Sequence, residues 1–341
     1  MRKYLILAAA CMALAACNKD VTPDVRIPDA SSRAALRVSI AGTPGTKAAQ
    51  TADEAAVNSL QVFVFNEDQI DVYGAVSDAK TMTLDATTGE RTVWAVVNAP
   101  DLKAVKTMSE LKAALSQFTD NASDSFVMTG SKAVTLTAQS NVTVEVDRIA
   151  ARIVIGKVTR KLGADGLASL PADKFQVVRA YVADVVADQN YGGTKSAYDS
   201  WINSSLGDGS ILTSNALVYD EPAASQSIAQ EGSYEYGHSF YTYPNATVED
   251  GASARMTRLV LECLVDGSHY TYPIVLPSGV QSNKSYEIKE LVITRLGNPS
   301  DGDDDIDPGE DDPITSVEIP FGISVNDWAV VLLGDEGTVT I

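Results

Sequence analysis

The chain has 341 residues, 45% of them hydrophobic, a formal net charge of −19 and a pI near 4.4. So acidic a protein is excluded as a nucleic-acid binder, because a phosphate backbone is gripped by a basic face. With about 300 residues beyond its leading segment it has enough chain for two domains with real cores.

Met1-Arg2-Lys3 opens an apolar stretch that closes on Leu14-Ala15-Ala16-Cys17. A basic start, an apolar run and small residues before a cysteine describe a secretory signal of the lipoprotein variety. Residues 1–17 are therefore expected to be a leader cut so that Cys17 becomes a lipidated N-terminus; the bland alternative is an ordinary thiol behind a plain signal. Past the leader, no apolar run reaches the ~20 residues of a spanning helix. Asn18 to Asp29 reads as a tether. In the first strand Leu36, Val38 and Ile40 alternate with Arg37, Ser39 and Ala41, the period of a half-buried strand. Gly42 to Thr51 is turn-rich and should be an exposed loop around Lys47. Gly42 to Lys47 lacks the Gly before and the Ser/Thr after the lysine that a phosphate loop requires.

Strands follow at Leu60–Phe65, Met82–Leu84 and Arg91–Val97. Ser109–Phe118 has helical spacing, with Leu111, Leu115 and Phe118 on one face and Ser109 as N-cap. Strands resume at Phe126–Met128, Val134–Leu136 and Val142–Val146, and a boundary is placed near Arg148. The second half holds strands around Phe175–Val186, Tyr234–Tyr243, Leu259–Val265, Tyr270–Leu276 and Tyr286–Thr294, with Asp188–Thr213 and Glu221–Gly232 as surface loops. Many short strands with one helical excursion per domain predict an all-β chain of two β-sandwiches. The domains are expected at 48–148 and 149–296.

Asp301–Asp312 carries eight carboxylates in twelve residues. Such a run repels itself and reads as an extended linker, 297–313. Ile306 stands where a calcium loop starting at Asp301 needs Gly. Beyond it, Val317, Ile319, Phe321, Ile323 and Val325 alternate with polar or small residues, and Val339 and Ile341 end the chain. A strand-forming tail, 314–341, behind a flexible spacer is built to reach another molecule.

Little else points to chemistry. Cys263 lies in an apolar strand and reads as a core residue, since one thiol makes no internal disulfide. His238 and His269 have no metal-ligand spacing, and no nucleophile elbow is present. No catalytic residue, metal or cofactor is expected. The pairs Tyr234/Tyr236, Tyr241/Tyr243 and Tyr270/Tyr272 put two rings on one sheet face, where they either pack or form a sugar-stacking platform. Trp201, in a polar loop, is the better candidate for an exposed contact.

Taken together, Cys17-Asn-Lys-Asp20, Leu60–Asn66, Arg91–Asn98, Val127-Met-Thr-Gly130, Arg148-Ile-Ala-Ala-Arg152 and the ending Pro313-Ile-Thr…Asp327-Trp328 resemble the FimA-type fimbrillins, pilus subunits of Bacteroidetes. The resemblance implies two transthyretin-like β-sandwiches, an outer-membrane lipoprotein precursor, and a trypsin-like processing protease that removes the first strand. It further implies other fimbrial subunits as partners, with a C-terminal strand of one filling the groove of the next in a cell-surface fimbria that supports adhesion. On that pattern the cut follows Lys47, where the family more often carries Arg; Arg33 and Arg37 are alternatives, and Lys47 as an ordinary loop lysine is the bland one. Leu36, Val38 and Ile40 are the groove-filling residues. Val317, Ile319, Phe321, Ile323, Val325, Val339 and Ile341 are the donor residues. The competing reading is a surface-anchored carbohydrate- or protein-binding lipoprotein that does not polymerise.

Overall fold

The computed structural model describes residues 33–42, 53–163, 166–193, 195, 197–205, 209–247, 255–276, 279–306, 329–332 and 338–340. The first half contains β1 (Arg33–Gly42), β2 (Ser59–Asn66), β3 (Gln69–Ser77), β4 (Thr81–Thr87), β5 (Gly89–Val97), a short helix α1 (Met108–Ala113), β6 (Leu115–Gln117), β7 (Met128–Leu136) and β8 (Gln139–Arg148). The hydrogen-bonded path runs β3-β2-β5-β7-β8-β1-β4. It folds over where β7 meets β8, which pair only through Met128↔Arg148 and Thr129↔Asp147. A Cβ on Gly130 would lie 1.8 Å from the Glu145 carbonyl oxygen, so only glycine permits this crossing. The result is two sheets, β3-β2-β5-β7 and β8-β1-β4, closed over one apolar core.

The second half contains β9 (Ala151–Arg160), β10 (Phe175–Ala183), β11 (Val185–Val186), β12 (Asp188–Asn190), β13 (Trp201–Ile202), β14 (Tyr219–Asp220), β15 (Gln226–Ser227), β16 (Ser233–Glu235), β17 (Ser239–Thr242), β18 (Arg258–Val265), β19 (Ser268–Val275), β20 (Lys284–Ile293) and β21 (Asn298–Ser300). One sheet is β14-β10-β18-β19-β21, with β15 also on β10. The other places β9 between β20 and the pair β16 and β17. Asp266-Gly267, both at positive φ, close the β18–β19 hairpin with the two-residue turn whose twist suits antiparallel strands. The protein is all-β with minor helix.

The two sandwiches share a core. Val62 and Val64 of β2 face the first sandwich, whereas Phe63 and Phe65 face a second cluster that runs through Leu111, Phe118 and Phe126 into Tyr241, Tyr243 and Ile288. This is why β2 reads as a continuous apolar run: both its faces are covered. Phe126 packs on Tyr241 and Phe118 meets Tyr243 edge to face, with ring centroids 4.5 and 5.4 Å apart. β6 pairs with β12 across the same seam.

Several expectations are corrected. The helix is Met108–Ala113 and is capped by Thr107, not Ser109; Glu110 N donates to Thr107 Oγ1 at 3.0 Å and Thr107 N donates to Glu110 Oε2 at 3.1 Å, a capping box. Leu115 lies beyond the helix in β6 and is exposed, because pairing with β12 overrides helical spacing. The second half has only 3-10 turns among its described residues, not a helix. Residues 188–213 are no plain surface loop, since they carry β12, β13 and the buried Tyr191 and Asn203. Ile228 likewise buries the middle of 221–232.

Candidate functional site

The first strand is an interior strand. β1 pairs in parallel with β8 from Ala35↔Gln139 to Gly42↔Val146, and antiparallel with β4 from Arg33↔Thr87 to Ser39↔Thr81. Its burial alternates without a fault: Ala34, Leu36, Val38 and Ile40 are buried, while Arg33, Ala35 and Arg37 are exposed. Leu36 and Val38 have no accessible surface at all. The inward residues meet Val62, Val64, Leu84, Ala86, Val142 and Val144, all in the core of the first sandwich. Ser39 Oγ and Thr143 Oγ1, 3.0 Å apart, pin the register to β8. Among the described residues β4 has no ladder partner other than β1. Withdrawing β1 therefore leaves an apolar slot with β8 on one side and an unpaired β4 on the other.

Two further strands lie on the second sandwich. β22 (Ala329–Leu332) and β23 (Thr338–Thr340) both run parallel to β20 on the edge opposite β9. Ala329 is opposite Lys284 and Leu332 opposite Glu287, whereas Thr338 is opposite Glu290; Val339 faces Leu291 in the register. These parts of the tail thus occupy the chain's own sheet edge. Cys17, Lys47, Val317, Ile319, Phe321, Ile323, Val325 and Ile341 lie outside the described residues.

The acidic segment is only partly a linker. Its first residues are fastened to the second sandwich: Ile306 is buried against Tyr181, Ile211 and Val260, and Ile211 N donates to the Asp304 carbonyl at 2.7 Å. Arg179, buried on β10, donates to Glu262 Oε2 at 2.5 Å and to Asp304 Oδ1 at 2.6 Å. His269 Nδ1 lies 2.5 Å from the other oxygen of the wholly buried Glu262. The expectation of an extended linker from 297 fails for 298–306, because β21 pairs with β19 and Arg179 and Ile306 fasten the rest, although Asp301, Asp303, Asp304 and Asp305 remain exposed. Neither Arg179 nor Ile306 stands out in the sequence, as Arg179 is more than a hundred positions from Asp304.

The aromatic pairs are mostly structural. Tyr236, Tyr241, Tyr243 and Tyr272 are buried, and Tyr234 and Tyr270 half-buried. Trp201 is half-buried, with Tyr198 edge-on and the Arg255 guanidinium 5.1 Å from its ring centroid. Cys263 is fully buried, and burial pushes its thiol well up. Among the described residues, no group of three His, Cys, Asp or Glu could hold a metal ion. No helix among them is long and apolar enough to cross a membrane.

A cluster that the sequence reading missed sits where the sandwiches meet. Arg148 Nε and Nη2 donate to the Glu54 carbonyl at 2.9 and 2.8 Å, and Arg152 Nη1 lies 3.3 Å from both Glu54 carboxylate oxygens. Tyr241 Oη donates to Glu54 Oε1 at 2.7 Å. The Arg148-Ile-Ala-Ala-Arg152 run was the available signal: two arginines flanking three apolar residues are costly to bury without acidic partners.

Residues 34–164 match the family described as major fimbrial subunit protein (FimA). The chain is 30% identical over 145 residues to the major fimbrium subunit FimA type-3 of Porphyromonas gingivalis, spanning 41% of this chain and 36% of that protein. It is 30% identical over 119 residues to the type-2 subunit of the same organism, spanning 34% and 30%. The match thus takes in about a third of the length of these curated relatives. Among solved structures, the fold resembles a protein assigned to cell adhesion from Bacteroides eggerthii, with a TM-score of 0.59 at 18% identity, over 88% of this chain and 98% of that one. It also resembles a fimbrilin from Porphyromonas gingivalis, with a TM-score of 0.57 at 15% identity, over 79% and 92%.

Proposed function

We propose, from the match of residues 34–164 to the FimA family, that the chain is a structural subunit of a cell-surface fimbria. It is exported as an outer-membrane lipoprotein precursor lipidated on Cys17, cut after Lys47, and polymerised when the tail of one subunit enters the groove of the next. The observation that carries this reading is β1 itself, an interior strand at the very start of the described chain, with Leu36, Val38 and Ile40 filling the first core. Burying three aliphatic side chains is worth roughly 5–9 kcal/mol, so an emptied groove strongly favours any strand of matching pattern. Such a strand is offered by Val317, Ile319, Phe321, Ile323 and Val325, followed by Val339 and Ile341.

Strand addition uses backbone hydrogen bonds for affinity and side-chain pockets for specificity. Donor and acceptor surfaces differ, so the contact is heterologous and repeats as an open filament. On this reading, the pairing of 329–332 and 338–340 with β20 is the arrangement of the tail before exchange, held on its own body. The partners are other subunits, the processing protease and, before the cut, the outer membrane. The carbohydrate-binding alternative loses its main support because the tyrosine pairs are committed to packing.

Limited trypsin treatment of the purified precursor is expected to cut at Lys47 and yield ladders that survive warm detergent. Lys47→Ala should block the cut, and deletion of 314–341 should abolish the ladders. Ladders from the deletion variant would remove the tail from the reading.

A further inference from the structure

The fold asks an odd thing of its N-terminal part if the first strand is to leave: the chain behind it must not follow. Residues 53–59 are held in a manner unlike β1. Glu54 is 2% exposed. Its backbone carbonyl takes both Arg148 contacts, and its carboxylate takes Arg152 and Tyr241. Two residues on, the Ala56 carbonyl accepts from Asn98 Nδ2 at 2.8 Å, and Asn98 Oδ1 accepts from Asn58 N at 2.8 Å and Ser59 N at 3.2 Å. Asn98 is itself buried at positive φ, a conformation Asn tolerates better than most residues. These anchors lie on the body: Arg148 ends β8, Arg152 is on β9, Tyr241 on β17, and Asn98 follows β5.

The anchoring arginine also faces the other end of the molecule. Arg152 Nε donates to Ser285 Oγ at 3.1 Å and Arg152 Nη2 to Glu287 Oε1 at 3.3 Å. Ser285 and Glu287 are the β20 residues opposite Val330 and Leu332 of the tail. One buried guanidinium therefore ties the segment after the first strand to the strand on which the tail lies.

We infer that Glu54 is a positioning residue that holds the chain behind the cut in place: once the chain is cut ahead of it, β1 can leave while Glu54 and the chain that follows it keep their place at the seam between the sandwiches. This rests on the proposed processing. β1 is held by a ladder and apolar contacts that one cut makes separable; the Glu54 segment is held by ionic and hydrogen-bonded contacts that the cut does not touch. The groove then opens at a fixed boundary, and Glu54 stays tied through Arg152 to β20.

Two readouts test this on the full chain. Hydrogen exchange should show the amides of Ala56, Asn58 and Ser59 opening on the order of tenfold or more faster in Glu54→Gln, and several-fold faster in Tyr241→Phe, with β18 unchanged. Should Glu54→Gln fail to fold, Tyr241→Phe alone decides. After the trypsin cut, proteinase K should trim the native protein no further than Asp53 but pass Asn58 in Glu54→Gln. Unchanged exchange in the folded variants, or trimming that halts at the same residue, overturns the inference. Ladder formation is scored separately: clamped protein that never polymerises sinks the fimbrial reading and leaves the clamp standing.

Discussion

Leu36 shows what one side chain contributes here. It is wholly enclosed on a strand proposed to be temporary. Leu36→Ala should cost the uncut protein about 2–5 kcal/mol of stability, read from denaturant midpoints, and should cost the trimmed protein nothing. An equal loss in both forms would mean that the strand never departs. The buried phenols make a second prediction at this scale. Burial raises the pKa of Tyr236, Tyr241, Tyr243 and Tyr272, with Glu54 adding to it at Tyr241, and Tyr191 is pushed up to about 12. Above pH ~10 the unfolded chain releases these protons and the folded chain keeps them. The unfolded state then binds fewer protons, so stability is fully present below pH ~10 and falls as pH rises beyond it. Urea midpoints followed alongside phenolate absorbance should be flat up to that pH and drop above it.

At the scale of elements, the sequence marks β1 and β8 sharply, because each buries one face and leaves the other in water. It marks β2 as a strand but not its second covered face, which belongs to a helix and a domain far along the chain. The clasp over 301–306 is likewise a matter of contact. Arg179→Met should strand the enclosed Glu262 carboxylate and cost on the order of 3–5 kcal/mol. Ile306→Ala should free the segment with less loss of global stability. Protease sensitivity confined to 301–306 is the signature of the second variant, and its absence would mean that Ile306 is not what holds the segment down.

The whole molecule is welded at the seam by Phe118, Phe126, Tyr241 and Tyr243. Two sandwiches with separate cores would melt separately; these should unfold in one cooperative transition, with fluorescence and far-ultraviolet dichroism coincident. Charge acts on the same scale. Residues 1–47 carry seven basic and three acidic side chains, so the trimmed chain is four charges more negative than the −19 of the whole. Like-charged subunits repel across a Debye length of ~30 Å at 0.01 M salt and ~8 Å at 0.15 M. Assembly should therefore speed up by about an order of magnitude over that range, as light scattering would record.

Strand periodicity, the acidic run and the two arginines around 148–152 are local facts, and local pattern was enough to read an all-β chain and the face that β1 buries. What no local pattern contains is who sits opposite. That β1 lies inside a sheet instead of at its rim, that 298–306 is docked, that Tyr241 and Tyr243 join a seam and that Glu54 meets both arginines were decided only when distant segments packed. The reason is physical: side-chain period reports whether a face leaves water, whereas a buried charge or ring is satisfied by whichever partner the closed chain brings within hydrogen-bonding or van der Waals reach.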